Sequence, residues 1–396
     1  MSDTGGGHRA AGEAIRDALY MQNGHDKVEV ELVDVFRDYS PVPLKYFPEI
    51  YPWVVNNTKS SWGAGYNFLN TRPRAKLVST TIYHTIESGL KRLFREHPAD
   101  VVVSVHSMLT RAAMQALMSL PYRPPFITVI TDLVSTHHLA YDKYSERCLV
   151  PTEAAYRKGL ESGLKPDQLR ITGLPVHPNF VNSLTDKASA RQKLGWDPDL
   201  PAILLVGGGD GMGPVYRTAR VINDRQLRCQ LIVIAGRNKA LRQHLEECNW
   251  NQPTQIYGFR SDMPVVMAAT DFIVTKAGPA TITEACIAGL PMILYDAIPG
   301  QESGNVDFVL AHDVGVFAPE PRKIGDVLEN WLAEGPEGLK RRSDRARDAS
   351  RPRAVFDIAD DVWYFANQDP IPTNRRSLWQ GMAEIAEATR VLTREL

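Results

Sequence analysis

The sequence lacks any run of about 18 uncharged apolar residues, the least that a bilayer-spanning helix needs, and no charged-then-apolar leader opens it. Neither a spanning helix nor export by the usual route is expected. Cysteine is scarce, with four in 396 residues (Cys148, Cys229, Cys248, Cys286) and no C-x-x-C pair. That suggests neither a disulfide framework nor a zinc site, and a reducing compartment fits best. Net charge is nearly absent, −1 from 45 basic and 46 acidic residues, so no general affinity for nucleic acid is expected. There is no Gly-Lys dipeptide and no G-x-G-x-x-G. A Walker A loop and the usual dinucleotide fingerprint are therefore missing, which demotes kinase and dehydrogenase readings.

What is present is ordinary globular composition, 43% hydrophobic and 23% charged, over a length sufficient for roughly two to three domains. Short β-branched runs alternate with longer amphipathic stretches, the pattern of βα units on a parallel sheet, so the class is α/β. The first half offers strands at Val28–Val35, Asp100–His106, Phe126–Thr131, Arg147–Pro151 and Leu169–Gly173. The second offers Ala202–Gly209, Leu231–Gly236, Gln255–Phe259, Asp271–Thr275, Pro291–Tyr295 and Gly315–Ala318. Two such series imply two doubly wound domains rather than one barrel. A proline-bearing hinge near residues 174–185 divides them into an N-terminal domain, 1–178, and a second domain, 179–350. Residues 351–396 read as terminal helices, Ala354–Ala366 and Leu378–Leu392, the first crossing back to the N-terminal domain.

The stretch Asp38–Asn70 holds Tyr39, Tyr46, Phe47, Tyr51, Trp53, Trp62, Tyr66 and Phe68 with four prolines. It is too aromatic for a solvated loop and shows little periodicity. It reads either as an irregular segment folded onto the body or as an apolar mouth for a greasy substrate or a membrane surface. Both halves also carry a glycine-rich turn leading into a helix, "SDTGGGHRA" near the start and "LLVGGGDGMGP" at Leu204–Pro214. A helix N-terminus with free backbone N–H groups suits an anion. The turns at Gly258–Met263, Thr275–Pro291 and Pro299–Val306 each follow a strand, and ligands of open α/β sheets bind at such carboxyl ends. Glu284, inside the helix after "GPAT", can accept hydrogen bonds from two vicinal hydroxyls such as those of a ribose. "DPD", Asp197–Asp199, looks like a metal-binding D-x-D but reads as a turn from its place in the interdomain region.

"SDTGGGHRAAGEAI", "TVITDLVSTHH", "GLPVHPNF", "LLVGGGDGMGP", "AGRNKAL", "TKAGPATITEA" and "IPGQESGNV" resemble, in order and spacing over about residues 2–360, the monogalactosyldiacylglycerol synthases. That family belongs with the diacylglycerol glucosyltransferases and the lipid-linked GlcNAc transferase of peptidoglycan synthesis. The resemblance implies a GT-B fold, two Rossmann-like domains facing a central cleft, with an N-terminal acceptor domain and a C-terminal donor domain for a UDP-sugar. It implies inverting transfer of galactose from UDP-galactose to the sn-3 hydroxyl of diacylglycerol, with no metal and no tightly bound cofactor. His8 becomes the base for the acceptor hydroxyl, a task suited to a group titrating near neutrality. The donor set is Gly207, Gly208, Gly209, Gly211 and Met212 for the diphosphate, with Gly278 and Thr281 beside them. Phe259 is assigned to the uracil, Glu284 to the ribose, and Gln301, Glu302 and Asn305 to the sugar, with Arg237 and Lys276 as counter-charges. Gly6, Gly7, His106, Asp132 and His137, with the aromatic residues Tyr39, Tyr46, Phe47, Trp53 and Trp62, form the acceptor side.

Because diacylglycerol is insoluble in water, monotopic binding to a membrane surface, with anionic lipids as possible partners, is expected. The expected place is the cytoplasmic face of the cell membrane or its plastid equivalent. A UDP-glucose-dependent glucosyltransferase, processive or not, is the alternative within the enzyme class. A lipid- or UDP-sugar-binding protein without turnover is the alternative outside it. Only Met1 and Ser2 precede Asp3 where the family has a hydrophobic strand, so a truncated start and a missing first strand are expected.

Overall fold

The computed structural model describes residues 1–2, 7–57, 59–209, 211 and 213–373. Gly6, Met212, the Trp53 side chain and the expected helix Leu378–Leu392 lie outside the described residues. The chain divides into two compact units, Met1–Pro178 with Pro299–Gln301 and the segment from Arg353, and Asn179–Ile298 with Glu302–Pro352.

The first unit holds β1 (Val102–Ser104), β2 (Tyr122–Arg123), β3 (Phe126–Val129), β4 (Arg147–Val150) and β5 (Leu169–Ile171). Four of them form a parallel sheet in the order β1-β3-β4-β5. Helix Gly7–Asn23 covers this sheet with Ala11, Ala14, Ile15, Ala18 and Leu19, all buried. Its small residues let helix Ala354–Ala366 approach, which adds Val355, Ile358 and Val362 to the same cluster. Each fully buried Ile, Leu or Val there contributes roughly 1.5–3 kcal/mol relative to exposure. Asp361 fixes the later helix, accepting from Arg170 at 2.7 Å with Arg147 3.4 Å away.

Two expectations are corrected in this unit. Val28–Val35 is extended but joins neither sheet among the described residues. A strand needs a hydrogen-bonded neighbour, and among the described residues the backbone partner here is Met1: its ammonium donates to the Val33 carbonyl and its own carbonyl accepts from Val35 N–H, both at 3.0 Å. Val28 and Val30 still serve as apolar filling under helix Gly7–Asn23. Asp34 ends the segment by capping helix Val35–Tyr39 through Arg37 N–H. The aromatic stretch Asp38–Asn70 is not irregular either. It contains helices Phe47–Asn57 and Lys59–Leu69, followed by the long helix Arg72–Glu96.

The second unit contains β6 (Ala202–Val206), β7 (Gln230–Ile234), β8 (Thr254–Tyr257), β9 (Phe272–Lys276), β10 (Met292–Asp296) and β11 (Gly315–Phe317). All pair in parallel, in the order β11-β10-β9-β6-β7-β8. β6 and β7 are buried at every position, as expected for a sheet covered on both faces. The direction of winding reverses between β6 and β9, so the crevice at their carboxyl ends is the ligand position this topology creates. A last short strand, β12 (Ile371–Pro372), pairs antiparallel with β2.

Candidate active site

In the first unit, His8 lies in the first turn of helix Gly7–Asn23, over the carboxyl ends of β1 and β3. Its Nδ1 is 2.8 Å from the Val105 carbonyl and 3.0 Å from the Thr131 hydroxyl. A carbonyl can only accept, so Nδ1 carries the proton and donates, which makes Nε2 the nitrogen with the basic lone pair. The Thr131 hydroxyl donates to the same carbonyl at 3.3 Å, leaving its own lone pairs toward Nδ1–H. His106 packs against the His8 ring with centroids 4.3 Å apart. It is buried, and desolvation followed by the nearby His8 charge pushes its pKa well below the usual histidine value. It is therefore a neutral support for His8.

The other acceptor-side residues divide into those near this pair and those elsewhere. Successive ring contacts join His106 to Phe36 (5.8 Å), Phe36 to Phe47 (5.2 Å), Phe47 to Tyr51 (5.8 Å) and Tyr51 to Trp62 (5.4 Å). Phe47 and Trp62 are thus linked to His8 through an unbroken aromatic path. Tyr46 is exposed, and Trp53 belongs to helix Phe47–Asn57. Tyr39 instead binds Glu96 at 2.9 Å and His97 at 2.8 Å, at the far end of the long helix. His137 is buried, with Nδ1 accepting from Leu139 N–H at 3.1 Å. Burial first, then the neighbouring His138, lower its pKa to about 4. Asp132 is half-buried and helps burial to raise the pKa of Tyr66, whose hydroxyl donates to the Ser135 carbonyl at 2.7 Å. Gly7 is exposed at the helix start.

In the second unit, the turn after β6 meets the turn after β9. Gly208 and Gly211 have φ of +72° and +60°, a conformation that glycine adopts without strain. A Cβ on Gly211 would fall onto the Ala235 carbonyl oxygen, and one on Gly236 onto that of Gly209. Arg237 N–H donates to Gly209 O at 2.9 Å, and its guanidinium lies 4.6 Å over the Phe259 ring. Helix Pro279–Ala288 begins at Gly278 without a side-chain cap, leaving the Ala280 and Thr281 N–H groups at its positive end without an intrahelical partner. Glu284 is half-buried on this helix, and desolvation raises its pKa to about 7. Among the described residues its carboxylate has no hydrogen-bond or ion-pair partner.

The residues assigned to the sugar are all engaged. Glu302 is buried and accepts from Lys276 Nζ at 2.8 Å and Ile298 N–H at 2.9 Å. Asn305, also buried, donates to the Ala277 carbonyl at 2.9 Å. Gln301 belongs to the first unit, where its Oε1 accepts from Tyr51 at 3.0 Å. Asp197 accepts from the N–H groups of Asp199 and Leu200 at 2.8 and 3.2 Å, so the D-x-D stretch is a self-capped turn. Sequence reasoning passed over Val105 and Thr131. Thr131 ends the expected strand Phe126–Thr131, and a polar residue at a strand's carboxyl end was the available signal.

The model of the monogalactosyldiacylglycerol (MGDG) synthase family matches residues 8–176, and that of the glycosyltransferase family 28 C-terminal domain matches residues 202–305. Over 387 residues the chain is 39% identical to the protein named probable monogalactosyldiacylglycerol synthase 2, chloroplastic, of Oryza sativa subsp. japonica, covering 95% of this chain and 81% of that one. The chain belongs to the MGDG synthase family. Monogalactosyldiacylglycerol synthase 3, chloroplastic, of Arabidopsis thaliana is 38% identical over 383 residues, with 93% and 81% covered. Among solved structures, the fold is similar to that of Acinetobacter baumannii MurG, with TM-score 0.52 and 16% identity over 70% of this chain and 77% of that one. This member of the MGDG synthase family thus has the GT-B architecture expected from its motifs. No helix among its described residues is long and apolar enough to cross a membrane.

Proposed function

We propose that this protein transfers galactose from UDP-galactose to the sn-3 hydroxyl of diacylglycerol with inversion, releasing UDP and monogalactosyldiacylglycerol. The observation that carries the reading is the tautomer of His8. Held by Val105 and Thr131, the ring offers Nε2 to take the hydroxyl proton as that oxygen attacks the anomeric carbon. A positioned base of this kind contributes roughly 10²–10⁴-fold. The crevice at β6 and β9 supplies the donor half: N–H groups at a glycine turn and helix start for the diphosphate, Lys276 for its charge, and Glu284 for the ribose hydroxyls. Such preorganised donors stabilise the departing UDP at the moment its charge grows. Glu284, desolvated and without a partner among the described residues, gains hydrogen bonds when a ribose arrives.

We place the enzyme on the surface of the membrane that holds its lipid. Supporting this, Val42, Tyr46, Ile50 and Phe68 are large, apolar and exposed on the helical segment whose rings lead to His8, and exposed apolar groups of this kind favour an interface. The relatives are named chloroplastic, which makes a plastid-type membrane or its equivalent the natural setting.

The test supplies purified protein with diacylglycerol vesicles and either UDP-galactose or UDP-glucose, then identifies the lipid product. The expected product is a β-galactosyl lipid from wild type and almost none from His8→Ala. A glucosyl product from UDP-glucose alone would overturn the donor assignment, and equal UDP release by both proteins would overturn the role of His8. Replacing Tyr46 and Ile50 together by Ser should lower co-sedimentation with vesicles; unchanged sedimentation would remove this surface from membrane binding.

A further inference from the structure

Lys276 and Glu302 form an ion pair whose position is unusual on electrostatic grounds. The lysine is the last residue of β9, and its side chain lies along the glycine turn. A Cβ on Gly208 would stand 3.7 Å from Cε, and one on Gly278 would stand 3.2 Å from Nζ. The ammonium therefore sits at the N-cap of helix Pro279–Ala288, where the helix dipole disfavours a cation. Glu302 offsets that cost. It is 5% exposed, its Oε1 takes the ammonium at 2.8 Å, and its Oε2 is held by Ile298 N–H at 2.9 Å. A buried carboxylate held on both oxygens is a fixed charge, and removing one member of such a pair leaves the other uncompensated.

We propose that Glu302 is a positioning residue for the diphosphate and not a reader of the sugar: it holds the Lys276 ammonium between Gly208 and Gly278, and acts on the donor through that lysine. This rests on the donor reading of the β6/β9 crevice. Without its anchor, the long lysine side chain spreads over many rotamers and leaves the positive helix end. The diphosphate then meets a mobile cation instead of a placed one. Since UDP carries the diphosphate and lacks the sugar, UDP alone must feel the loss of Glu302 as strongly as UDP-galactose does.

Calorimetric titration of UDP and of UDP-galactose into wild type, Glu302→Gln, Glu302→Asp, Lys276→Met and the Gln/Met double variant tests this. Glu302→Gln is expected to weaken both ligands about tenfold and equally, the size of one charge-assisted hydrogen bond. In the Lys276→Met background, Glu302→Gln is expected to have no further effect, which a merely structural role would not produce. Glu302→Asp, which keeps the charge, is expected to recover part of the loss and guards against Glu302→Gln simply failing to fold. Loss of UDP-galactose affinity with UDP affinity unchanged overturns the inference in favour of sugar recognition, as does tighter UDP binding by Glu302→Gln. A wild type that binds UDP no better than Glu302→Gln overturns the inference alone. A wild type that binds no UDP overturns the donor reading and the inference together.

Discussion

In the proposed reaction the two units solve different chemical problems with one architectural device. Each places its functional groups at the carboxyl ends of parallel strands beside the start of a helix. In the first unit the group offered there is an imidazole whose tautomer is set by Val105 and Thr131. In the second it is backbone N–H, an ammonium and a carboxylate around a turn with left-handed glycines at 208 and 211. A proton acceptor must carry a titratable lone pair, so it needs a side chain held from behind. An anion site needs many small positive ends close together, so it needs bare backbone, which glycine exposes. The fold supplies the same stage twice, and in the proposed reaction side-chain chemistry decides which half moves a proton and which half holds a phosphate.

The sharpest way to separate the halves is His8→Ala. It should lower kcat by roughly 10²–10⁴-fold and leave UDP affinity by calorimetry unchanged. Next is Gly236→Ala in the other unit. Gly236 has φ of +60°, and a Cβ there would fall onto the Gly209 carbonyl oxygen. Backbone strain of about 1–3 kcal/mol should weaken UDP by roughly 5–150-fold while leaving the His8 ring signals in an NMR spectrum unmoved. If UDP affinity stays at the wild-type level, that turn is not where the diphosphate sits.

Most of the fold was legible in the sequence because it rests on local signals. Short β-branched runs marked every strand of both main sheets, and the glycine-rich turn before Gly7 marked the start of the helix that follows it. Val28–Val35 misled because β-branched residues report which side chains can be buried, whereas a strand also needs a backbone partner, and among the described residues its backbone is bonded by Met1 and joins no sheet. The helices between Phe47 and Leu69 were hidden by Pro48, Pro52, Gly63 and Gly65, residues that usually end helices. Pro48 stands in the first turn, where a missing N–H costs nothing. Gly63 is small because Pro299 packs against it. That second reason is a contact across more than two hundred residues of sequence. The same holds for the pairing of Lys276 with Glu302, which no spacing along the chain announces.

A pH titration compares the halves in another way. The Glu284 carboxyl is raised to about 7 by desolvation, so the folded chain holds its proton more tightly than the unfolded chain does. Its contribution to stability is full below the ordinary carboxyl range and is lost as pH rises through about 7. Ribose hydroxyls favour the ionised form, so donor binding runs the opposite way. UDP affinity should fall about tenfold from pH 8 to pH 6 if binding restores an ordinary carboxyl pKa. Glu284→Gln should flatten that dependence. A slope that persists in the variant would assign the effect to another group.

The smallest expected effect tests whether the imidazole is held as the geometry indicates. Thr131→Val keeps the shape of the side chain and removes the hydroxyl 3.0 Å from His8 Nδ1. Acceptors facing Nδ1–H stabilise the imidazolium that forms when Nε2 takes the acceptor proton. One neutral hydrogen bond of this kind is worth about 0.5–1.5 kcal/mol, so kcat should fall roughly 2–10-fold with KM for UDP-galactose unchanged. The acid limb of the pH–rate profile should also move to lower pH, because the protonated ring has lost a partner. Thr131→Ser, which restores the hydroxyl without the methyl, should recover both. A lower rate with no movement of the acid limb would mean that Thr131 only packs the strand end, and that the Val105 carbonyl alone sets the tautomer of His8.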